Sequence, residues 1–358
     1  MNLRLIHQLP PTENNPRNSE GAFLRGKQGE ILFAYSRYTG ASVHDHAACD
    51  IALIVSPDEG ESWSEPRIIA PASFFGVANV MSVSALTQEN GDLAFYFLIK
   101  ENDFTTTLGR AVSADGVTFT CERCRFDCKA GFYVINNDRL VRLSSGRILA
   151  PAAYMSAEEN EAHTRDRTPI VSRATMLYSD DDGASFRITG WEYGTTDKIN
   201  EYYGLQEPGV LERTDGSLYY WMRTGYGAQY ECESAGDVEA FPRPHHSAFT
   251  SPPSPMQVKS YGGVTYTVYN PIPNYNGRVN REGTWGRTPL VIRRSEDDGR
   301  TYGPLNIIED DESRGYCYPA LFETKDHCLL LAYCRGDAID GNTLCRIGIT
   351  KIEMDSIE

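Results

Sequence analysis

Ser56-Pro-Asp58-Glu-Gly60-Glu-Ser62-Trp63 returns along the chain as Ser179-Asp-Asp181-Asp-Gly183-Ala-Ser185-Phe186 and as Ser295-Glu-Asp297-Asp-Gly299-Arg-Thr301-Tyr302. A shortened copy runs Ser113-Ala-Asp115-Gly116-Val-Thr118-Phe119, and a decayed one runs from Ser234 through Asp237 to Phe241. Each copy follows one apolar run and precedes another, so the pattern predicts a turn between strands. Its Asp is suited to accept backbone N–H bonds, its Gly to supply an unusual φ, and its aromatic to plug the core between strands.

The five serines stand 57, 66, 55 and 61 residues apart. Each interval fits four short strands and their loops. Five such units end near residue 310, and the remaining residues supply a sixth. Cys345–Ile352 is expected beside an N-terminal strand, closing a ring. Elsewhere the chain shows short β-branched or alternating runs, such as Ile31–Tyr35, Leu93–Leu98 and Leu329–Ala332, broken by Gly, Asp, Asn and Pro. The expectation is an all-β chain: one six-bladed β-propeller of four-stranded antiparallel blades, a single domain over residues 1–358.

Composition narrows the partners. A net charge of -15 argues against nucleic acid and anionic membranes, whose backbones and headgroups need clustered Lys and Arg. It leaves room for a local basic pocket that takes a small anion. No stretch approaches the ~18 apolar residues of a membrane span, and the start, MNLRLIHQLPPTENNP, lacks the apolar core of a secretory signal. Nine cysteines without a paired framework read as reduced thiols, hence a cytoplasmic protein. A homo-oligomer is allowed by these numbers but not specified.

The repeat S-x-D-x-G-x-[ST]-[WFY] at this spacing resembles the Asp box of the sialidase superfamily. The box is structural and occurs in non-enzymatic propellers too, so function must come from the opposite face. With strands lettered A to D from the axis outward, the box is the C–D turn. The starts of A, the ends of B and the B–C loops then share the other face, where sialidases hold their site.

The resemblance implies the following roles. Asp45, in His44-Asp45-His46 of the first B–C loop, lies five residues before Asp50, the spacing of the sialidase acid/base. Glu207 opens strand A of blade four, and Arg223 ends strand B sixteen residues later. In the family such a Glu activates the nucleophile, and such an Arg binds substrate carboxylate. Arg287, opening strand C of blade five, resembles the last carboxylate-binding Arg, a role suited to a planar bidentate fork. Tyr318, fifteen residues before Tyr333, matches the nucleophile better than Tyr316 does. Tyr is the sialidase exception among glycosidases, because a carboxylate on the anomeric carbon would repel an Asp or Glu nucleophile. A phenol of pKa near ~10 needs the Glu beside it.

The match breaks at the first clamp Arg. The register puts Glu20 there; Arg25 is displaced, Arg17 precedes it, and Arg335 at the end of blade six's strand B is another substitute. The expectation is a changed substrate, with Glu20 binding a sugar hydroxyl or joining the acid/base work. Asn136, Asn137 and Arg139 open blade three with polar groups that fit either substrate hydroxyls or inter-blade hydrogen bonds. His44 and His46, on either side of Asp45, are expected to bind substrate; they could also face one way on a strand and hold a metal, which nothing else in the sequence calls for. Cys121-x-x-Cys124-x-x-x-Cys128 has metal-like spacing without a fourth ligand, so neither a metal nor a cofactor is expected. The implied function is a retaining exo-glycosidase that releases a terminal sialic-acid-like or other acidic sugar from small glycans. The alternatives are a non-catalytic carbohydrate-binding propeller and a relative acting on another sugar, by other stereochemistry or a lyase step.

Overall fold

A computed structural model describes residues 1–166, 171–195, 204–272 and 281–358. It shows six antiparallel sheets arranged as a six-bladed β-propeller. Blade one comprises Asn18–Arg25, Ile31–Tyr38, Cys49–Ser56 and Arg67–Ala70 as strands A to D. In blade six, Cys317–Glu323, Cys328–Cys334 and Ile347–Glu353 supply strands A to C, and the N-terminal strand Leu3–Leu9 is the fourth. Leu3 faces Ile352 and Leu9 faces Ile347, so both ends of the described chain close one sheet, as the sequence predicts.

Blade three departs from the four-stranded expectation. Its strand A is split into Gly131–Val134 and Val141–Arg142, both paired with Ile148–Ser156. An extra strand, Arg125–Asp127, runs parallel to strand D on the outside. The one α-helix among the described residues, Ala157–Asp166, rises from this blade's B–C loop. Ser156 and Glu159 form a capping box: Ser156 Oγ accepts from the Glu159 N–H at 3.1 Å, and Glu159 Oε2 accepts from the Ser156 N–H at 3.2 Å.

Alternating apolar residues put one larger core cluster between each pair of neighbouring blades. Leu53 and Phe95 join blades one and two, Tyr96 and Ile148 join two and three, and Met176 and Tyr220 join three and four. Trp221 and Tyr269 join four and five, Val268 and Leu331 join five and six, and Leu330 and Phe33 close the ring. Burying each such side chain is worth about 1.5–3 kcal/mol.

The repeated turns do what their residue types suggest. Asp58, Asp181 and Asp297 each accept the N–H of the Ser or Thr four residues on, all at 2.8 Å. The Oγ of Ser56, Ser179 and Ser295 accepts the N–H of Gly60, Gly183 and Gly299. Those glycines have φ of 93°, 78° and 78°. In the decayed copy Asp237 still accepts the Glu239 N–H and Phe241 is buried, but the Ser234 hydroxyl has no hydrogen-bond partner among the described residues.

The inner strands carry a feature absent from the expectation. Pairing with strand B slips between Ser19 and Ala22, Met81 and Ser84, Gln206 and Gly209, and Cys317 and Ala320. At each slip one residue has positive φ: Glu20 (57°), Ser82 (62°), Glu207 (45°) and Tyr318 (55°). Asp138 (58°) sits in the gap of the split strand in blade three. A bulge of this kind re-aims one side chain. A non-glycine residue held there costs on the order of 1–3 kcal/mol, and five blades carry that cost around one axis.

Candidate functional site

Glu20, Ser82, Glu207 and Tyr318, four of these re-aimed residues, line one cavity of about 650 Å³. It opens at the strand ends opposite the Asp-box turns, since the strands are antiparallel and its walls come from starts of A, ends of B and B–C loops. The fifth, Asp138, ties blades together. It accepts from Lys259 Nζ at 2.6 Å, Gln257 Nε2 at 3.0 Å and the Leu321 N–H at 3.2 Å.

One wall is built around Glu207. Tyr318 Oη donates to Glu207 Oε1 at 2.8 Å, and Arg223 Nη1 donates to Oε2 at 2.9 Å. Gln206 and Arg223 face each other across strands A and B, which is why the sixteen-residue separation closes into an ion pair. Burial pushes the Glu207 carboxyl up, but Arg223, Arg287 and the bond from Tyr318 together leave the group below its usual range. Burial, with the Glu207 charge beside it, holds the Tyr318 phenol well above its usual range. The resting pair is therefore a neutral phenol donating to a carboxylate.

Arg287 lies in the loop before strand C of blade five rather than in the strand, which begins at Leu290. Its guanidinium packs over the Tyr318 ring at 5.6 Å and the Trp285 ring at 5.0 Å. It is anchored from behind by the Pro253 carbonyl and by Cys317 Sγ at 3.1 Å.

The facing wall comes from blades one and two. Glu20 is buried at 5 % exposure, and its Oε2 accepts from Ser82 Oγ at 3.1 Å. Arg17, also buried, donates to Asp45 Oδ1 at 2.6 Å and stacks on Tyr38. Surrounding protein acts to raise the Asp45 carboxyl, but its side chain is 59% exposed, and Arg17, with Lys100 and His44 acting the same way, holds it below the usual range. Lys100 enters from strand B of blade two, donates to the Asp45 carbonyl and lies 5.8 Å from the Phe132 ring. Burial lowers its ammonium below the usual lysine range.

Of the residues singled out in the sequence, the cavity brings together Glu20, Asp45, His46, Asn136, Glu207, Arg223, Arg287 and Tyr318. The others lie elsewhere. Arg25 faces the Asp-box side, paired with Glu59 at 2.7 Å, because it is the last residue of strand A, opposite Ile31 at the turn into strand B. Arg335 pairs with Glu309 and Gln8 on the outer part of blade six. Asn137 bridges blades through the Gly21 and Tyr318 carbonyls, and Arg139 holds Gln257 and the Met256 carbonyl. These are the inter-blade bonds that were the alternative for those two. His44 stacks on His46 at 5.6 Å but is not in the cavity wall. Tyr316 packs on Tyr333 in the core between blades five and six. Cys121, Cys124 and Cys128 are free thiols on and beyond the outer strand of blade two.

A family pattern described as a BNR repeat-like domain matches residues 29–331. The chain belongs to the BNR-repeat-like family. Similar solved structures include a protein of unknown function from Dyadobacter fermentans, 14% identical with a TM-score of 0.71, covering 98% of this chain and 99% of that one. The intramolecular trans-sialidase of Ruminococcus gnavus, solved with oseltamivir carboxylate, is 13% identical at TM-score 0.71 and covers 98% and 97%. The NanB sialidase of Streptococcus pneumoniae is 14% identical at 0.70, covering 99% of this chain and 71% of its own. These likenesses show a shared sialidase-type propeller. No curated protein matches the chain.

Among the cavity residues of this BNR-repeat protein that escaped the sequence reading are Lys100, Ser82 and Trp285. Lys100 stands two residues before the end of an otherwise ordinary strand, Leu93–Asn102. Ser82 is a common strand residue whose φ nothing announces. Trp285, 43% exposed in the cavity wall, stands two residues before Arg287, and its exposure is not visible in a sequence. No described helix is long and apolar enough to cross a membrane.

Proposed function

We propose that this propeller is a sialidase-like exo-glycoside hydrolase that releases a terminal acidic sugar from small glycans, with Tyr318 as nucleophile and retention at the anomeric carbon. The observation that carries this reading is the 2.8 Å bond from Tyr318 Oη to a Glu207 carboxylate that also accepts from Arg223 at 2.9 Å. Tyr318 Oη forms a bond to the anomeric carbon while its proton passes to Glu207 Oε1. The bond to the leaving oxygen breaks, and that oxygen takes a proton from Asp45 at the rim. Water, giving a proton back to Asp45, then attacks the same carbon, the Tyr318–carbon bond breaks, and Glu207 returns the phenol proton. Arg223 and Arg287, on the nucleophile's wall, bind the sugar's anionic group in this reading. The reduced thiols fit a cytoplasmic enzyme supplied with imported glycans.

A second reading, a non-catalytic sugar-binding propeller, draws on Glu20, which puts a carboxyl in an anion-binding cavity. Hydrolysis of aryl glycosides and glycan mixtures spanning sialic acid, other ulosonic acids, uronic acids and neutral sugars separates the two. Wild type is expected to release an acidic sugar, and Tyr318→Phe and Asp45→Ala to release far less. Release that survives Tyr318→Phe removes the nucleophile assignment. Binding without release by any variant favours the second reading.

A further inference from the structure

The wall that faces Arg223 and Arg287 presents a carboxyl with one oxygen left over. Glu20 Oε2 is engaged by Ser82 Oγ at 3.1 Å. Arg17 Nη2 stands 3.7 Å from Oε1, beyond hydrogen-bond reach, and among the described residues no group donates to that oxygen. Arg17 spends its close contact on Asp45 at 2.6 Å. Glu20 is thus fixed by its bulge, buried, and aimed into the cavity without an ion pair of hydrogen-bond quality.

The charged and titratable groups around it come from several blades. Arg17, Asp45, Tyr38 and Cys49 belong to blade one, Lys100 to blade two, Glu207 to blade four, and Tyr318 and Cys334 to blade six. Burial is the largest influence, pushing the Glu20 carboxyl up to about 7, with Asp45 and Glu207 acting in the same direction and Arg17 and Lys100 against. A second carboxylate entering this space cannot sit beside an ionised Glu20. Two carboxyls at contact in a dry site share one proton.

We propose that Glu20 holds the substrate's carboxylate as a neutral carboxylic acid, its Oε1–H donating to a substrate oxygen from the wall opposite Arg223 and Arg287. The inference rests on the acidic-sugar reading above. It makes Glu20 a specificity residue for a monoanionic acidic sugar, and each substrate bound draws one proton from solvent when Glu20 starts ionised. An ionised Glu20 that accepted from a neutral sugar's hydroxyl would take up none.

The test is calorimetric binding of the glycal of N-acetylneuraminic acid, an acidic sugar that is not hydrolysed, from about pH 5.5 to about pH 8.5 in buffers of different ionisation enthalpy. For wild type, Kd is expected to stay level below about pH 7 and to rise about tenfold per unit above it, with close to one proton taken up. Glu20→Gln, which keeps shape and donates from its amide, should bind within about tenfold of the wild-type low-pH value, with no uptake and no slope. His46 and Cys317 also titrate near the cavity; a slope that persists in Glu20→Gln belongs to them and overturns the proposal. Wild-type binding without proton uptake overturns it equally. Binding by Glu20→Arg but not by wild type at any pH keeps the acidic-sugar reading and removes this inference. Binding by neither removes both.

Discussion

Tyr318 and Glu207, 111 residues apart in sequence, meet through a 2.8 Å hydrogen bond in which the phenol donates and the carboxylate accepts. Both occupy a left-handed bulge at the start of an inner strand, in blades six and four. The bond is therefore set by two strained backbones rather than by flexible side chains. It supplies what a buried phenol lacks, an ionised base aligned on its proton.

Removing the phenol oxygen with Tyr318→Phe should lower turnover of an acidic aryl glycoside by at least about 10³-fold while leaving the propeller folded. Glu207→Gln keeps the Arg223 contact sterically but cannot take the proton, and should cost about 10²–10⁴-fold. Steady-state rates of both variants and of the double variant check this. A double variant no slower than Tyr318→Phe alone means that the two act as one unit.

Much of this was legible. The Asp-box serines marked the blade count, and Gly60, Gly183 and Gly299 announced their own turns. Glu207 and Arg223 paired because a hairpin of that length brings its ends together. The bulges were not legible, because Glu20, Ser82, Glu207 and Tyr318 are residue types that rarely take positive φ. Only tertiary packing imposes that conformation. Arg25 is out of reach of the cavity for a simpler reason: it ends strand A opposite Ile31, a strand's length from Glu20, and pairs with Glu59 of the Asp-box turn. Arg17, three residues before Glu20, is the cation that reaches Asp45.

Arg17 makes a prediction about pH. It holds Asp45 ionised, whereas the first half-reaction needs Asp45 protonated. The rate kcat/KM should then fall as pH rises above the depressed Asp45 value, giving an acid-shifted profile. Arg17→Gln removes the cation, raises the Asp45 pKa and should move that falling limb upward in pH. The position of a limb does not depend on how much enzyme is folded, so a partly unstable variant still reports. A limb that stays in place takes Asp45 out of the acid role.

The Asp boxes offer a paired stability test. Ser295 Oγ accepts the Gly299 N–H at 2.9 Å and donates to Asp297 at 2.7 Å, whereas Ser234 Oγ, at the same place in the decayed copy, has no hydrogen-bond partner among the described residues. Ser295→Ala leaves a buried N–H without its partner and should cost about 1–2 kcal/mol. Ser234→Ala removes an unsatisfied buried hydroxyl and should be neutral or slightly stabilising. Urea unfolding of the two variants checks the difference. Equal losses would mean that Ser234 has a partner after all.

Glu20 gives the last prediction, and it concerns the fold rather than a ligand. Burial raises its carboxyl from the usual 4.5 to about 7. Below about pH 4.5 both folded and unfolded chains hold the proton, and the native state carries no penalty. Between the two values the unfolded chain ionises first, so stability is lost as pH rises through about 7, and the loss is complete above it. Glu20→Gln never ionises and escapes this loss. Its stability relative to wild type should be small near pH 4 and grow to at most about 3 kcal/mol near pH 8. Thermal unfolding of both proteins across that range measures it. A difference that instead shrinks with rising pH would mean that Arg17 and Lys100 stabilise an ionised Glu20 in the empty cavity, and that the carboxyl sits below its usual value.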